Sequence, residues 1–185
     1  MSLTQYYTAT TLDGFIADPE HSLSWLFSRK REPGGALTYD AFVSDVGAIA
    51  MGSTTYEWIL DHEFSGKDPS EWRWPYDVPC WVFTHRELPV VPNAAIRFVQ
   101  GEVASVHGEM EAAAAGRNVW IVGGGDLAGQ FADAGLLDEV IVWIASVTLG
   151  AGAPLLPRRL EFRVEEQTWN GDFLCARLAV AGPLP

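Results

Sequence analysis

Cysteine and positive charge are the scarce ingredients of this sequence. Its two cysteines, Cys80 and Cys175, stand far apart, each within a strand-like run. That excludes a disulfide framework, and no zinc or redox spacing is present, so no metal site is expected. Twelve Lys and Arg face 24 Asp and Glu, a net charge of −12. Nucleic acid and anionic membrane surfaces attract proteins through a positive field, so neither is expected as a partner. Any phosphate bound here has to be held by local donors. The uncharged run from Val140 to Leu156 is β-branched first and broken by glycine and proline afterwards, too short to span a bilayer comfortably. No basic-plus-apolar leader opens the chain, which points to a cytoplasmic protein. No internal repeat is visible.

What is present is an ordinary globular composition: 185 residues, 48% hydrophobic and 19% charged. One domain over residues 1–185 with a sizeable core is the simplest reading. The most informative stretch is Asn118 to Leu156, NVWIVGGGDLAGQFADAGLLDEVIVWIASVTLGAGAPLL. Val119 to Val122 suit a buried strand, and Gly123, Gly124 and Gly125 follow directly. Asp126 can cap a helix carrying Leu127, Ala128 and Phe131, Gly135 can end it, and Val140 to Val147 form the next strand. Such strand–glycine–helix units suit phosphates, because backbone N–H groups are approachable and the helix start carries partial positive charge. The same glycines equally suit a tight turn and close helix–sheet packing. The position of the unit, followed by a glycine/proline loop and a hairpin, is not that of a Rossmann domain.

In chain order, Leu3 to Ala9 reads as a first strand, followed by a turn at Asp13-Gly14. Trp25, Leu26 and Phe27 lie in a loop and are expected to cover something, whereas Arg29-Lys30-Arg31 reads as a solvated patch. Residues 36–46 have helical spacing, and Gly47 to Met51 form a short strand. Gly52-Ser53-Thr54-Thr55 then opens a helix from Tyr56 to Leu60, a second strand–glycine–helix junction whose hydroxyls suit either capping or a ligand. Asp61 to Pro79 is long and rich in aromatics, as a lid or an interface would be. Strands follow at Cys80–Phe83 and Ile96–Gln100, with a helix at Glu102–Ala115. Leu160–Trp169 and Asp172–Val180 flank Asn170-Gly171, a strong hairpin signal. The class is α/β, with a largely parallel central sheet, an antiparallel C-terminal hairpin and helices on both faces.

Four segments in this order, ATTLDGFIA (9–17), AMGSTTYEW (50–58), WVFTHR (81–86) and the glycine-run segment from Ile121 to Leu156, resemble the dihydrofolate reductase-like superfamily. The resemblance is closest to the reductase domain at the C-terminus of bifunctional riboflavin-biosynthesis deaminase–reductases, and it covers nearly the whole chain. It implies an eight-stranded sheet binding NADPH, with NADH the alternative. Ala9 and Ile16 would contact the nicotinamide end. Gly52, Ser53, Thr54 and Thr55, and Val122, Gly123, Gly124, Gly125, Asp126 and Leu127, would surround the pyrophosphate. Thr84, His85 and Arg86 would sit by the adenosine 2′-phosphate. Ser53 stands where dihydrofolate reductases carry a basic residue, which leaves Arg86 to favour NADPH. Counting back from Gly52 puts Ala36 where they carry their pterin-binding carboxylate, with Asp40 one turn further on, which argues against folate. The chain also lacks a rich basic cluster for a ribose phosphate.

The expected function is reduction of a small pterin- or pyrimidine-like heterocycle or of a carbonyl compound. The alternative is a nucleotide-binding protein that keeps the fold without turnover. Trp25 or Trp74 could stack on a flat substrate. Asp13, the acidic residue nearest the expected nicotinamide, either organises its turn or donates a proton. Large apolar side chains in irregular segments, such as Trp72, Trp74 and Tyr76, together with the apolar strand 140–147, lead to the expectation of a homodimer.

Overall fold

Consecutive apolar residues run through the middle of the chain, and those runs build a sheet buried on both faces. The computed structural model describes residues 2–35 and 37–184; Ala36, the counted-back carboxylate position, lies outside the described residues. Strands β1 (Thr4–Thr11), β3 (Val46–Gly52), β4 (Cys80–Phe83), β5 (Ile96–Val99), β6 (Asn118–Gly123) and β7 (Glu139–Ala145) run parallel. The hairpin β9 (Leu160–Asn170) and β10 (Phe173–Pro183) adds two more through an antiparallel β10–β7 pairing. The order is β5-β4-β3-β6-β1-β7-β10-β9, and β2 (Phe15–Ala17) pairs with β8 (Ala153–Pro154) in a small separate ribbon.

Successive strand residues point to opposite faces. Tyr6, Ala48, Ala50, Val119, Ile121, Val140 and Val142 meet α4 (Ala104–Ala114) and α5 (Gly125–Asp133) in one core. Ile49, Met51, Val82, Trp120 and Ile141 meet α2 (Tyr39–Val43) and α3 (Ser53–Phe64) in the other. A third, smaller cluster joins Trp25 of α1 (Ser24–Phe27) to Trp143, Ala145, Phe173 and Cys175. Among the described residues no helix is long and apolar enough to cross a membrane.

Several local expectations shift. The helix expected over 36–46 is only the turn Tyr39–Val43, because Gly34, Gly35 and Leu37 all hold positive φ and delay its start. Asp126 does not cap α5: the chain turns at Gly124, φ 95°, and Asp126 lies already inside the first turn. Its carboxylate accepts from Gln130 Nε2 at 2.9 Å and Arg158 NH2 at 3.1 Å instead. The hairpin turn falls on Gly171-Asp172, with Asn170 the last ladder residue opposite Phe173. The aromatic segment 61–79 begins as the end of α3 and then folds back on the second core. Trp72 stacks on Phe64 at 5.0 Å and Trp74 lies against Tyr56 at 5.5 Å. Tyr76 meets Trp120 edge-on at 5.7 Å.

Phe131 ties α5 to its core. It is fully buried and meets Phe83 and His107 edge-on. Phe131→Ala is expected to cost about 3–5 kcal/mol of stability, read as a lower urea midpoint with an unchanged slope.

Candidate functional site

The sheet order opens a crevice at the carboxyl ends of its strands. After β3 the chain moves outward to β4 and β5, and β6 returns to fill the gap between β3 and β1. Helix α3 leaves β3 toward one core and α5 leaves the adjacent β6 toward the other. Crossovers that diverge in this way leave a cleft above the strand ends, where ligands of open α/β sheets bind.

A cavity of about 310 Å³ lies there. Ile16, Thr54, Thr55, Val122, Gly123, Gly124, Gly125 and Asp126 line it, so the two glycine junctions and the segment after the first turn do converge. Thr8, Ala17, His21, Leu23, Trp58, Ala153 and Pro154 complete the lining; Ala17, Trp58, Ala153 and Pro154 lie within the resembling segments without having been singled out, and nothing in the sequence had marked Thr8, His21 or Leu23. The three glycines serve different ends. A Cβ on Gly123 would press into the Thr55 side chain, and one on Gly125 would overlap the carbonyl oxygens of Pro154 and Leu155. Those two permit close packing. Gly124, with φ 95°, has no atom nearer than 3.5 Å to where its Cβ would stand, so it leaves the backbone open at the start of α5. The first bond of that helix is Ala128 N–H to Gly124 O, so the N–H groups of residues 125–127 have no partner within it. The start of α3, capped by backbone Gly52 with no side-chain cap, brings Thr54 and Thr55 to the same cavity, whereas Gly52 and Ser53 are not part of its lining. Leu127 is buried in the core behind the cleft. These open donors and the uncrowded backbone at Gly124 fit the pyrophosphate of a dinucleotide.

A second cavity, about 270 Å³, lies across β1. Thr8 lines the first and its neighbours Tyr7 and Ala9 line the second. Ala9 is therefore set apart from the glycine junctions. Trp143, Phe173, Tyr39, Thr38, Asp40 and the strap Arg31–Gly34 form the rest of the lining, together with Leu26. Sequence reasoning passed over most of these. Arg31 read as a solvated patch and Trp143 as strand core, and only tertiary placement distinguishes them. Tyr7 donates its hydroxyl to Leu37 O at 3.2 Å, and Trp143 Nε1 donates to the same oxygen at 2.9 Å. Burial raises the Tyr7 pKa well above the ordinary phenol range, with the nearby Cys175 adding to the rise, so this hydroxyl stays protonated.

Helix α1 partitions the two cavities. Leu23, at its start, faces the first and Leu26 the second. Trp25, read as a possible stacking surface, instead anchors α1 from inside the third core cluster and is 6% exposed. Phe27 stacks on His62 at 5.5 Å and on Trp58 at 6.2 Å. Trp74 packs between Tyr56 and Tyr76 and lines neither of the two cavities.

Asp13 organises loops. It accepts from the Thr11 hydroxyl at 2.5 Å, from Gly150 N at 2.7 Å and from Leu149 N at 3.0 Å. The Thr11 hydroxyl first, then the Gly150 and Leu149 amides, hold its carboxyl below the ordinary range. It is ionised at neutral pH and has no proton to give. Thr84 and Arg86 line a separate hollow beside β4, and His85 is exposed between them. Among the described residues no group of three or more His, Cys, Asp or Glu is placed to hold a metal ion.

A sheet of this order, with its crevice and antiparallel C-terminal pair, defines a dihydrofolate reductase-like α/β domain. The family model of the RibD C-terminal domain matches residues 4–170, and the chain belongs to that family of reductase domains. It is 30% identical over 155 residues to the uncharacterised protein YwjB of Bacillus subtilis (strain 168), covering 82% of this chain and 81% of YwjB. The uncharacterised YyaP of the same organism is 26% identical over 151 residues, covering 80% and 76%. Among solved structures, a protein of Shewanella sp. PV-4 provisionally described as a riboflavin biosynthesis protein aligns with a TM-score of 0.77 at 25% identity. That alignment covers 96% of this chain and 98% of the other. The Thermotoga maritima diaminohydroxyphosphoribosylaminopyrimidine deaminase/5-amino-6-(5-phosphoribosylamino)uracil reductase shares the fold, with a TM-score of 0.61 at 16% identity. There 97% of this chain covers 57% of the longer protein.

The strap beside the second cavity depends on the hairpin turn. Asn170 accepts from Glu32 N at 2.8 Å and donates to Glu32 O at 3.0 Å, and Asp172 accepts from Lys30 N at 2.8 Å. Asn170→Ala leaves both Glu32 groups unpaired, at an expected cost of about 1–3 kcal/mol. Amide exchange at Lys30 and Glu32 is expected to accelerate, and unchanged protection by mass spectrometry would mean that the strap is held elsewhere.

Proposed function

We propose that this chain is an NADPH-dependent reductase of a small heterocycle, pyrimidine- or pterin-like, or of a carbonyl compound. The observation that carries the reading is the pair of cavities divided by β1 and α1: one built on two helix starts, the other walled by aromatic rings. Membership of the RibD reductase-domain family supports it, since RibD reductase domains in general use NADPH.

When bound, the nicotinamide would supply hydride; the chain's own groups do the rest. The amides at Ser53–Thr55 and Gly125–Leu127 would hold the pyrophosphate. Ile16, Ala17, Leu23 and Val122 give the first cavity an apolar wall that excludes water. In the second cavity Tyr7, Tyr39, Trp143 and Phe173 offer ring faces to a flat substrate, and Arg31, Glu32 and Asp40 bring polar groups to its rim. A binding protein without turnover is the second reading, favoured by Asp13, whose carboxylate is taken up by Thr11, Leu149 and Gly150 and lines neither cavity.

NADPH is expected to bind more tightly than NADH, and Arg86→Ala to remove the difference by weakening NADPH about tenfold. Tryptophan emission reads the binding, and loss of reduced-nicotinamide absorbance across pterins, pyrimidines and quinones reads turnover. Equal affinity of the unmutated protein for both cofactors would refute the placement of the 2′-phosphate at Arg86. Binding with no oxidation across the panel would favour the second reading.

The same proposal includes a cytoplasmic setting, supported by two unpaired buried thiols, and a homodimer. The aromatic segment 61–79 packs on its own domain and β7 lies inside the sheet, so neither supports pairing. The outer hairpin does, with Trp169 76% and Val164 60% exposed on the edge strand β9. Light scattering is expected to give twice the 20.3 kDa chain mass; the single-chain mass would sink the pairing.

A further inference from the structure

We propose that Glu57 sets the cofactor preference of this chain by holding Arg86 in a carboxylate fork. The inference rests on the nicotinamide-cofactor reading above and deepens it.

The path of the ligand follows from the sheet. The first cavity covers the ends of β6 and β1 and the start of α3. From α3 the carboxyl edge continues the other way only to β4, whose Phe83 stands beside Gly52 in the ladder. Thr84 to Arg86 therefore emerge alongside Ser53. A dinucleotide with its pyrophosphate between the two helix starts, and its nicotinamide toward β1, carries its second ribose to that place.

Arg86 is the guanidinium available there. The buried Thr84 accepts the Arg86 backbone N–H at 2.9 Å, which fixes where the side chain departs. At its far end NH1 donates to Glu57 Oε1 at 2.9 Å and NH2 to Glu57 Oε2 at 2.6 Å. Glu57 is on α3, one turn beyond Ser53, and so rigidly placed. Both carboxylate oxygens are engaged, and the pair presents almost no net charge to an approaching anion. Other guanidiniums near this end of the sheet are committed elsewhere: Arg97 to Glu109, and Arg158 to Asp126 and Asp133.

The two cofactors meet this pair differently. A 2′-phosphate has to take the guanidinium from Glu57 and then sit beside the released carboxylate, where like charges repel. A 2′-hydroxyl can donate to that carboxylate, as acidic residues do in NAD sites. Both side chains are well exposed, 57% and 37%, so the fork is weak enough to open. Glu57 thus lowers the NADPH advantage that Arg86 alone would give, and makes the chain tolerant of NADH.

Glu57→Gln removes the charge and keeps the shape. In titrations followed by tryptophan emission or calorimetry, its NADPH affinity is expected to rise about tenfold and its NADH affinity to stay level or fall. Adenosine 2′,5′-bisphosphate should gain as NADPH does, and 5′-AMP should not. The gain should vanish in Glu57→Gln/Arg86→Ala, which separates an effect through Arg86 from a general change in surface charge. Glu57→Ala gives the same readout if glutamine perturbs α3, with circular dichroism as the control for folding. An unchanged NADPH-to-NADH ratio in a folded variant, with the unmutated protein binding NADPH, overturns the role of Glu57 and leaves the cofactor reading intact. Failure of the unmutated protein to bind either nucleotide overturns both.

Discussion

How closely neighbouring segments can approach two glycines governs the carboxyl edge of this sheet. The start of α5 lies on the carbonyl oxygens of Pro154 and Leu155, so close that Gly125 tolerates no side chain, and the Thr55 side chain of α3 lies against Gly123, where a Cβ would press into it. Because the contacts are this close, two helix starts on opposite faces of the sheet come together over one cleft. The ribbon β2–β8 then closes over it, fixed by Leu155 N–H to Gly14 O at 2.9 Å and by the grip of Asp13 on Leu149 and Gly150. Widening either contact would separate the donor sets and open the cleft.

The same economy divides the two cavities. A single strand and one helical turn stand between them, and both are anchored on their flanks: β1 by ladders to β6 and β7, α1 by Trp25 on one side and Phe27 on the other. A partition this thin lets groups bound on its two sides come near each other at its upper edge, while the ends of each ligand stay in different surroundings. The first cavity offers backbone donors and hydroxyls, the second ring faces with charged groups at the rim.

Much of this was legible in the chain because it follows from local rules. Short continuous apolar runs gave β3, β4, β6 and β7 to within a residue or two, and the two glycine junctions do meet at one cleft. The Asp13-Gly14 turn is where the dipeptide predicts it. What the sequence hid is what depends on distant partners. Asp126 looked like a cap because caps are read from neighbours, whereas the positive φ of Gly124 moved the helix start ahead of it. Asn170 looked like the turn itself, yet its side chain serves Glu32. Trp72, Trp74 and Tyr76 suggested an outside partner, because nothing local reveals that Phe64, Tyr56 and Trp120 are waiting for them. The second cavity was nearly invisible, since its lining comes from β1, the strap, α2, β7 and β10 at once.

The hold of the hairpin turn on the strap sets an order of assembly. Glu32 and Lys30 lie 138 and 142 positions ahead of Asn170 and Asp172. At ribosomal speeds the strap is made on the order of ten seconds before its clamp exists. The six parallel strands can gather without that clamp, since none of their ladders involves the hairpin except through the outer side of β7. The first cavity is complete once β8 has docked, whereas the second lacks a wall until β10 pairs with β7 and the turn closes on the strap. Folding therefore completes the walls of the first cleft from residues up to Pro154, and the last contacts to form are those that make the second chamber.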